Sequence, residues 1–220
     1  MNHKTLLLSM AVFAVAASAR AGDSSNGPGP HWTASVQAET NGQYAEAINE
    51  LRAYDQKGGE PFLTAERSGW LNYLAGSFST AEQAYARAKL LQPTAINPLL
   101  GLLSVAQAQK DGKKIERAAE DILRVEPTNY RAQAALAALH FAGKDYRRSA
   151  SDYHRLLATY PDDADAMSGE AWSAFYLGLR IEATETFRRL LSISPSYPYA
   201  QQGLDLTVGK TTQSTFGLSQ

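Results

Sequence analysis

Four prolines, Pro93, Pro127, Pro161 and Pro195, follow one another at a constant spacing of 34 residues. Each closes a similar stretch: "RAKLLQP", "ILRVEP", "RLLATYP" and "RLLSISP". Proline has no N–H for a continuing helix and keeps its preceding residue out of the αR region. An amphipathic helix end followed by proline is therefore a stop, and a stop repeated at a fixed period means that a structural unit is repeated. A chain of this kind does not need one closed globular core, because each unit can bury its apolar face against the next.

The register of the prolines divides the chain into units of 62–95, 96–129, 130–163 and 164–197. Gly42 lies 34 residues before Gly76 and extends the series back to 28–61. Within each unit two apolar-periodic stretches flank a short break, and no run has the alternation of a β-strand. The expected architecture is all-α, a solenoid of about five helix-turn-helix units.

The second unit, "AGSFSTAEQAYARAKLLQP", sets Gly76 at the turn and Phe78 at the start of the second helix. Ala81, Tyr85 and Ala88 mark its packing face, and Pro93 its end. The first unit repeats the pattern with Gly42, Tyr44, Ala47, Leu51 and Tyr54. The fourth does so with Tyr146, Ser149, Tyr153, Leu156 and Pro161, and the fifth with Gly178, Ala183, Phe187, Leu190 and Pro195. These residues resemble the tetratricopeptide repeat (TPR) family over nearly all of the chain beyond residue 28. Two units depart from the pattern. In "KDGKKIERA" Gly112 is displaced and a lysine pair stands where the aromatic should be, and in "KGGEP" Pro61 falls two residues late. Small residues such as Ala47, Ala81 and Ala183 let paired helices approach, while Tyr85, Tyr153 and Phe187 fill the space beside them. A terminal unit needs a cap, and "YPYAQQGLDLTVG" suits a short helix with Leu204 and Leu206 packing back. The cap spans 198–209, closing a solenoid of 31–209.

Both ends carry other signals. Lys4, the apolar run "TLLLSMAVFAVAAS" and Ala19-Arg20-Ala21 read as a secretory signal over residues 1–21. "GDSSNGPGP" (22–30) reads as a flexible leader and 210–220 as a polar, disordered tail. The signal makes the expected location exported, periplasmic or secreted, with no membrane span after cleavage. The chain has no cysteine, hence no disulfide framework. Cleavage would remove Lys4 and Arg20, leaving 19 basic against 22 acidic side chains, a formal charge of −3. Such a balance gives no electrostatic reason to bind nucleic acid.

Catalytic and metal motifs do not stand out. His140 and His154 fall within one unit and could approach one another, but lack a third ligand in register. The carboxylates of "PDDAD" (161–165) sit where they would satisfy helix N–H groups. No nucleophile elbow, phosphate loop or metalloprotease helix occurs, so neither an enzyme nor a cofactor is expected.

The TPR resemblance implies that the concave surface is lined by the first helix of each unit. Carried over residue by residue, its aromatic and basic members are Trp32, Trp70, Tyr73, Arg131, Phe141, Trp172, Phe175 and Tyr176, with Glu66, Asn97 and Asp165 among the flanking polar positions. A carboxylate clamp built on lysine is not supported, because this groove has Asn97 and Arg131 but no lysine. The resemblance implies a non-catalytic scaffold whose aromatic groove holds a protein segment and supports assembly of an envelope complex. The alternative is a polysaccharide-associated TPR module of an exopolysaccharide system, and a third reading is an enzyme or metal protein with an unrecognised site.

Overall fold

The computed structural model describes residues 29–209, which form eleven α-helices. The segments read as a signal (1–21) and a tail (210–220), and most of the one read as a leader, lie outside the described residues. Helices α1 (Pro30–Thr40) and α2 (Tyr44–Gln56) form the first pair, α3 (Pro61–Leu74) and α4 (Phe78–Leu91) the second, and α5 (Ile96–Gln109) and α6 (Gly112–Val125) the third. Helices α7 (Tyr130–Ala142) and α8 (Tyr146–Thr159), then α9 (Ala164–Tyr176) and α10 (Arg180–Ile193), complete the pairs, and α11 (Ala200–Thr207) closes the stack. This is an α-solenoid of five helical hairpins and a capping helix.

The prolines act as the sequence implies. Helices α4, α6, α8 and α10 each end two residues before a proline, and the residue between is extended: Gln92 (φ −138°, ψ 88°), Glu126 (−129°, 88°), Tyr160 (−126°, 73°) and Ser194 (−137°, 79°). These are the extended conformations that a following proline imposes. Pro61 instead opens α3, and α2 ends through Gly58 in the left-handed region at φ 85°. The late proline of the first unit is thus a helix start, where its missing N–H costs nothing.

Starts are also periodic. The carboxylates of Asp111 and Asp145 accept from the backbone N–H of Lys114 and Arg148, both at 3.1 Å, to cap α6 and α8. Asn129 and Asp163 cap α7 and α9 through Ala132 N–H at 3.2 Å and Ala166 N–H at 3.0 Å. Substituting such a cap by alanine typically costs about 1 kcal/mol.

The turn inside each hairpin needs one left-handed residue, and the period of 34 assigns it to positions 42, 76, 110, 144 and 178. Gly42, Gly76 and Gly178 have φ of 74°, 74° and 80°, while Lys110 and Lys144 take the same conformation at 56° and 61°. Gly112 is therefore not a displaced turn glycine. It is the first residue of α6, in the register place held by Phe78 and Tyr146.

The buried side chains fall into four clusters along the stack, each shared by neighbouring helices. Between hairpins, aromatic rings from second helices enter gaps opened by glycines on first helices. The ring of Tyr85 on α4 has its base against Gly69 of α3 and its tip against Gly101 of α5, where an added Cβ would lie 2.4 Å from Cζ. Tyr153 meets Gly169 and Phe187 meets Gly203 in the same way, both at 2.2 Å. Where the helix carries Ala119 in place of the ring, the facing residue is Ala135, which is also buried. Polar pairs cross the same seams: Lys89 with Asp121, Lys114 with Glu82 at 2.7 Å, and the Tyr197 hydroxyl donating to Asp165 at 2.6 Å.

First helices approach one another at three places, α3 with α5, α7 with α9 and α9 with α11, and among the described residues no two second helices come as close. The stack therefore curves with α1, α3, α5, α7 and α9 on its inner side.

Candidate functional site

The inner side carries two clusters of aromatic side chains, one at each end. At the first end Glu39 of α1 organises α3. It accepts from the indole N–H of Trp70 at 2.6 Å and pairs with the Arg67 guanidinium at 2.9 Å. That guanidinium lies 5.1 Å over the Trp32 ring, and Trp32 meets Tyr54 of α2 edge-on at 5.3 Å. Trp70 stacks on Tyr73 at 6.1 Å, and Tyr73 contacts Phe78 at 5.7 Å.

At the other end Phe141 of α7, Tyr146 of α8 and Trp172, Phe175 and Tyr176 of α9 form one group. Tyr146 and Tyr176 stack at 4.6 Å with 19° between planes, and Phe141 touches both, at 5.5 and 6.1 Å. Trp172 meets Phe175 at 5.6 Å and the sealed ring of Phe187 at 5.2 Å, each nearly perpendicular. Edge and offset arrangements of this kind are favourable for aromatic quadrupoles and add to area burial.

The eight candidate residues thus divide. Trp32, Trp70 and Tyr73 belong to the first cluster, Phe141, Trp172, Phe175 and Tyr176 to the second, and Arg131 stands between them. Trp32, Trp70, Tyr73, Arg131, Phe141, Trp172 and Phe175 are half-buried, while Tyr176 is 51% exposed. No indole ring lies free on the surface: each is half-buried and packs against a core cluster. Tyr146 is an addition to the candidates. Its contact with Phe141 repeats, 68 residues on, that of Phe78 with Tyr73, so the aromatic opening a second helix touches the end of the first.

Between the clusters the first helices present aliphatic, small and polar residues, Leu100 and Ala134 among them. Arg131 of α7 donates to the Ser104 hydroxyl of α5 at 2.8 Å, and Asn97, Gln107 and Ala138 are exposed. Burial, reinforced by the nearby Glu66 carboxylate, pushes the Tyr85 phenol well above the usual range, so it remains a neutral donor. Asp165 is engaged by Tyr197, whose phenol is pushed up to about 12 by burial and by that hydrogen bond.

The histidines do not converge. His31 pairs with Glu50 at 2.7 Å, His140 with Asp152 at 2.6 Å and His154 with Glu170 at 2.9 Å. Among the described residues no group of three metal-ligating side chains forms, and no helix is long and apolar enough to cross a membrane. The carboxylates of 161–165 are dispersed: Asp163 caps α9, Asp165 accepts from Tyr197, and Asp162 approaches Arg189 at 4.0 Å.

No family model and no curated protein matches the chain. Solved structures do. A tetratricopeptide repeat protein from Parabacteroides merdae ATCC 43184 superposes with a TM-score of 0.69 at 19% identity, covering 82% of this chain and 73% of that one. A MamA protein gives 0.66 at 15% identity, covering 78% and 92%, and MamA 41-end from Desulfovibrio magneticus RS-1 gives 0.66 at 14%, covering 78% and 99%. With its hairpin period, proline stops and inner row of first helices, the chain has the fold of the tetratricopeptide repeat proteins.

Proposed function

We propose that this protein is a non-catalytic scaffold, exported to the bacterial periplasm, that holds a segment of a partner protein along its inner groove within an envelope complex. The observation that carries this reading is the pair of aromatic clusters facing one surface. Large aromatic side chains that keep part of their area uncovered are the usual anchors of protein interfaces, because a partner that covers them releases much apolar surface. Their separation along five stacked hairpins suits an extended or helical segment that lies across several units and not a small compact ligand. The export signal read in residues 1–21 supports the compartment. Solenoids of this kind present a long curved surface on a frame whose units contact only their neighbours, which suits binding more than chemistry.

Tryptophan emission provides the test, since all three indoles flank the groove. The purified chain, residues 22–220, is titrated with fractionated envelope-protein peptides and with a panel of oligosaccharides. A saturable shift with peptides, lost in Trp70→Ala and Tyr176→Ala variants that keep their helical circular dichroism, is the expected result. A shift with oligosaccharides alone would replace the peptide by a glycan as the ligand. Fractionation of cells carrying the full chain checks the compartment, and retention in the cytoplasm refutes it.

A further inference from the structure

The charges of the groove are not equally engaged. Glu39 is bound to Arg67 and Trp70, and Asp165 to Tyr197. Two remain near the middle. Arg131 has one hydrogen bond, to Ser104, and forms no ion pair among the described residues. Glu66, one turn before Gly69 on α3, forms none either, although both residues are half-buried. Tyr85 shows that they share a neighbourhood. Its ring runs between Gly69 and Gly101, with Glu66 one turn before the first glycine on α3 and Ser104, the partner of Arg131, one turn after the second on α5. A half-buried charge loses hydration without regaining it from a partner, so these two lower the energy of any occupant that supplies the missing groups. The surroundings are otherwise apolar or neutral: Leu63, Leu100 and Ala134 are half-buried and carry no charge.

We propose that the partner segment of this groove carries both an acidic and a basic side chain, flanked by large apolar residues, with the acid meeting Arg131 and the base meeting Glu66. The inference rests on the groove reading above and adds the chemistry of the occupant. Arg131 offers a planar fork of donors for a carboxylate, with the Ser104 hydroxyl beside it, and Glu66 on α3 accepts from a lysine or arginine. The aromatic clusters take the flanking apolar side chains. The charge pair then selects among apolar segments, because a segment with two charges of one sign places a repelling group on either Glu66 or Arg131.

Four synthetic helical peptides without tryptophan test this, identical except for the central pair, which is Lys/Glu, Glu/Glu, Lys/Lys or Gln/Gln. Their affinities are read from protein tryptophan emission for the natural chain and for the Glu66→Gln and Arg131→Gln variants, each checked for unchanged circular dichroism. The natural chain is expected to favour Lys/Glu over both same-sign peptides by roughly 5- to 30-fold. Glu66→Gln should raise Glu/Glu to the top of the order, and Arg131→Gln should raise Lys/Lys. If the order of the four is the same in all three proteins, Glu66 and Arg131 neutralise each other across solvent and the assignment of the pair is wrong while the groove stands. If no peptide changes the emission, the groove reading falls and this inference with it.

Discussion

Replacing Gly101 by alanine tests the packing that joins one hairpin to the next. A Cβ at this position would lie 2.4 Å from Cζ of Tyr85 and 2.5 and 2.6 Å from its two Cε atoms, against the 3.4 Å where ordinary contact begins. The ring must retreat by about 1 Å, yet its base already rests against α3 at Gly69, and the residue is 4% exposed. Overpacking of this kind costs about 1–3 kcal/mol, and two rigid helix backbones around the ring put it at the upper end. Alanine in mid-helix recovers about 1 kcal/mol relative to glycine. The net expectation for Gly101→Ala is a loss of about 2 kcal/mol. Tyr85→Leu removes the ring tip that causes the clash and keeps the base that contacts Gly69, and leucine occupies the corresponding place in the first hairpin at Leu51. In that background Gly101→Ala should become neutral or stabilising by up to about 1 kcal/mol, giving a coupling of about 2–3 kcal/mol between the sites. Urea titration of the four proteins, followed by circular dichroism, measures the cycle. A Gly101→Ala effect of the same sign and size in both backgrounds, with coupling below about 0.5 kcal/mol, would refute the idea that glycine is present to admit the ring.

Three other expectations follow from local geometry. Lys110→Gly or Lys144→Gly should raise stability by about 0.5–1 kcal/mol, because each lysine holds a left-handed turn that glycine adopts without strain, while Gly178→Ala should lower it by about 1 kcal/mol; shifts in denaturation midpoint decide. Trp172→Ala should cost about 2–3 kcal/mol through lost contact with Phe187 and the core, whereas Tyr176→Ala, on a ring 51% exposed, should cost about 1 kcal/mol or less and still abolish ligand response. Stability should also fall at high pH. The Tyr85, Tyr130 and Tyr197 phenols are held above their ordinary value chiefly by burial, so the unfolded chain loses these protons first. Their contribution is whole below pH 10 and declines from there through pH 12, the value that Tyr197 approaches. Urea midpoints at pH 9 and pH 11 should differ less in a Tyr85→Phe variant than in the natural chain.

What the sequence makes legible depends on whether a feature repeats at the period of the fold. Proline stops, turn glycines and the alanine and aromatic positions of second helices do repeat, so hairpin number and the row of first helices are readable from the chain alone. The glycines that receive the rings are legible only in part. Gly101, Gly169 and Gly203 share one register, but position 135 holds alanine and position 67 arginine, and the rule appears only when each is paired with the residue it faces. A glycine stands where a ring must enter, as at Gly101, Gly169 and Gly203, and a larger residue returns where the second helix carries no ring, as where Ala135 faces Ala119. Lys110 and Lys144 escape for the opposite reason: their backbone obeys the period while their side chains conceal it, since the hairpin forces a conformation that the residue does not advertise. For the groove, the register brings the aromatics to one side but leaves open how far each ring is covered. Trp172 divides its surface between Phe187 and the groove, and Trp70 fixes its indole on Glu39, 31 residues earlier. A ring partly held by the core is already oriented before any partner arrives, so less side-chain freedom is lost on binding. The same contacts that stabilise the hairpin stack therefore prepare the groove, and substitutions at its tryptophans should change stability and binding together, while those at Tyr176, Glu66 and Arg131 should separate them.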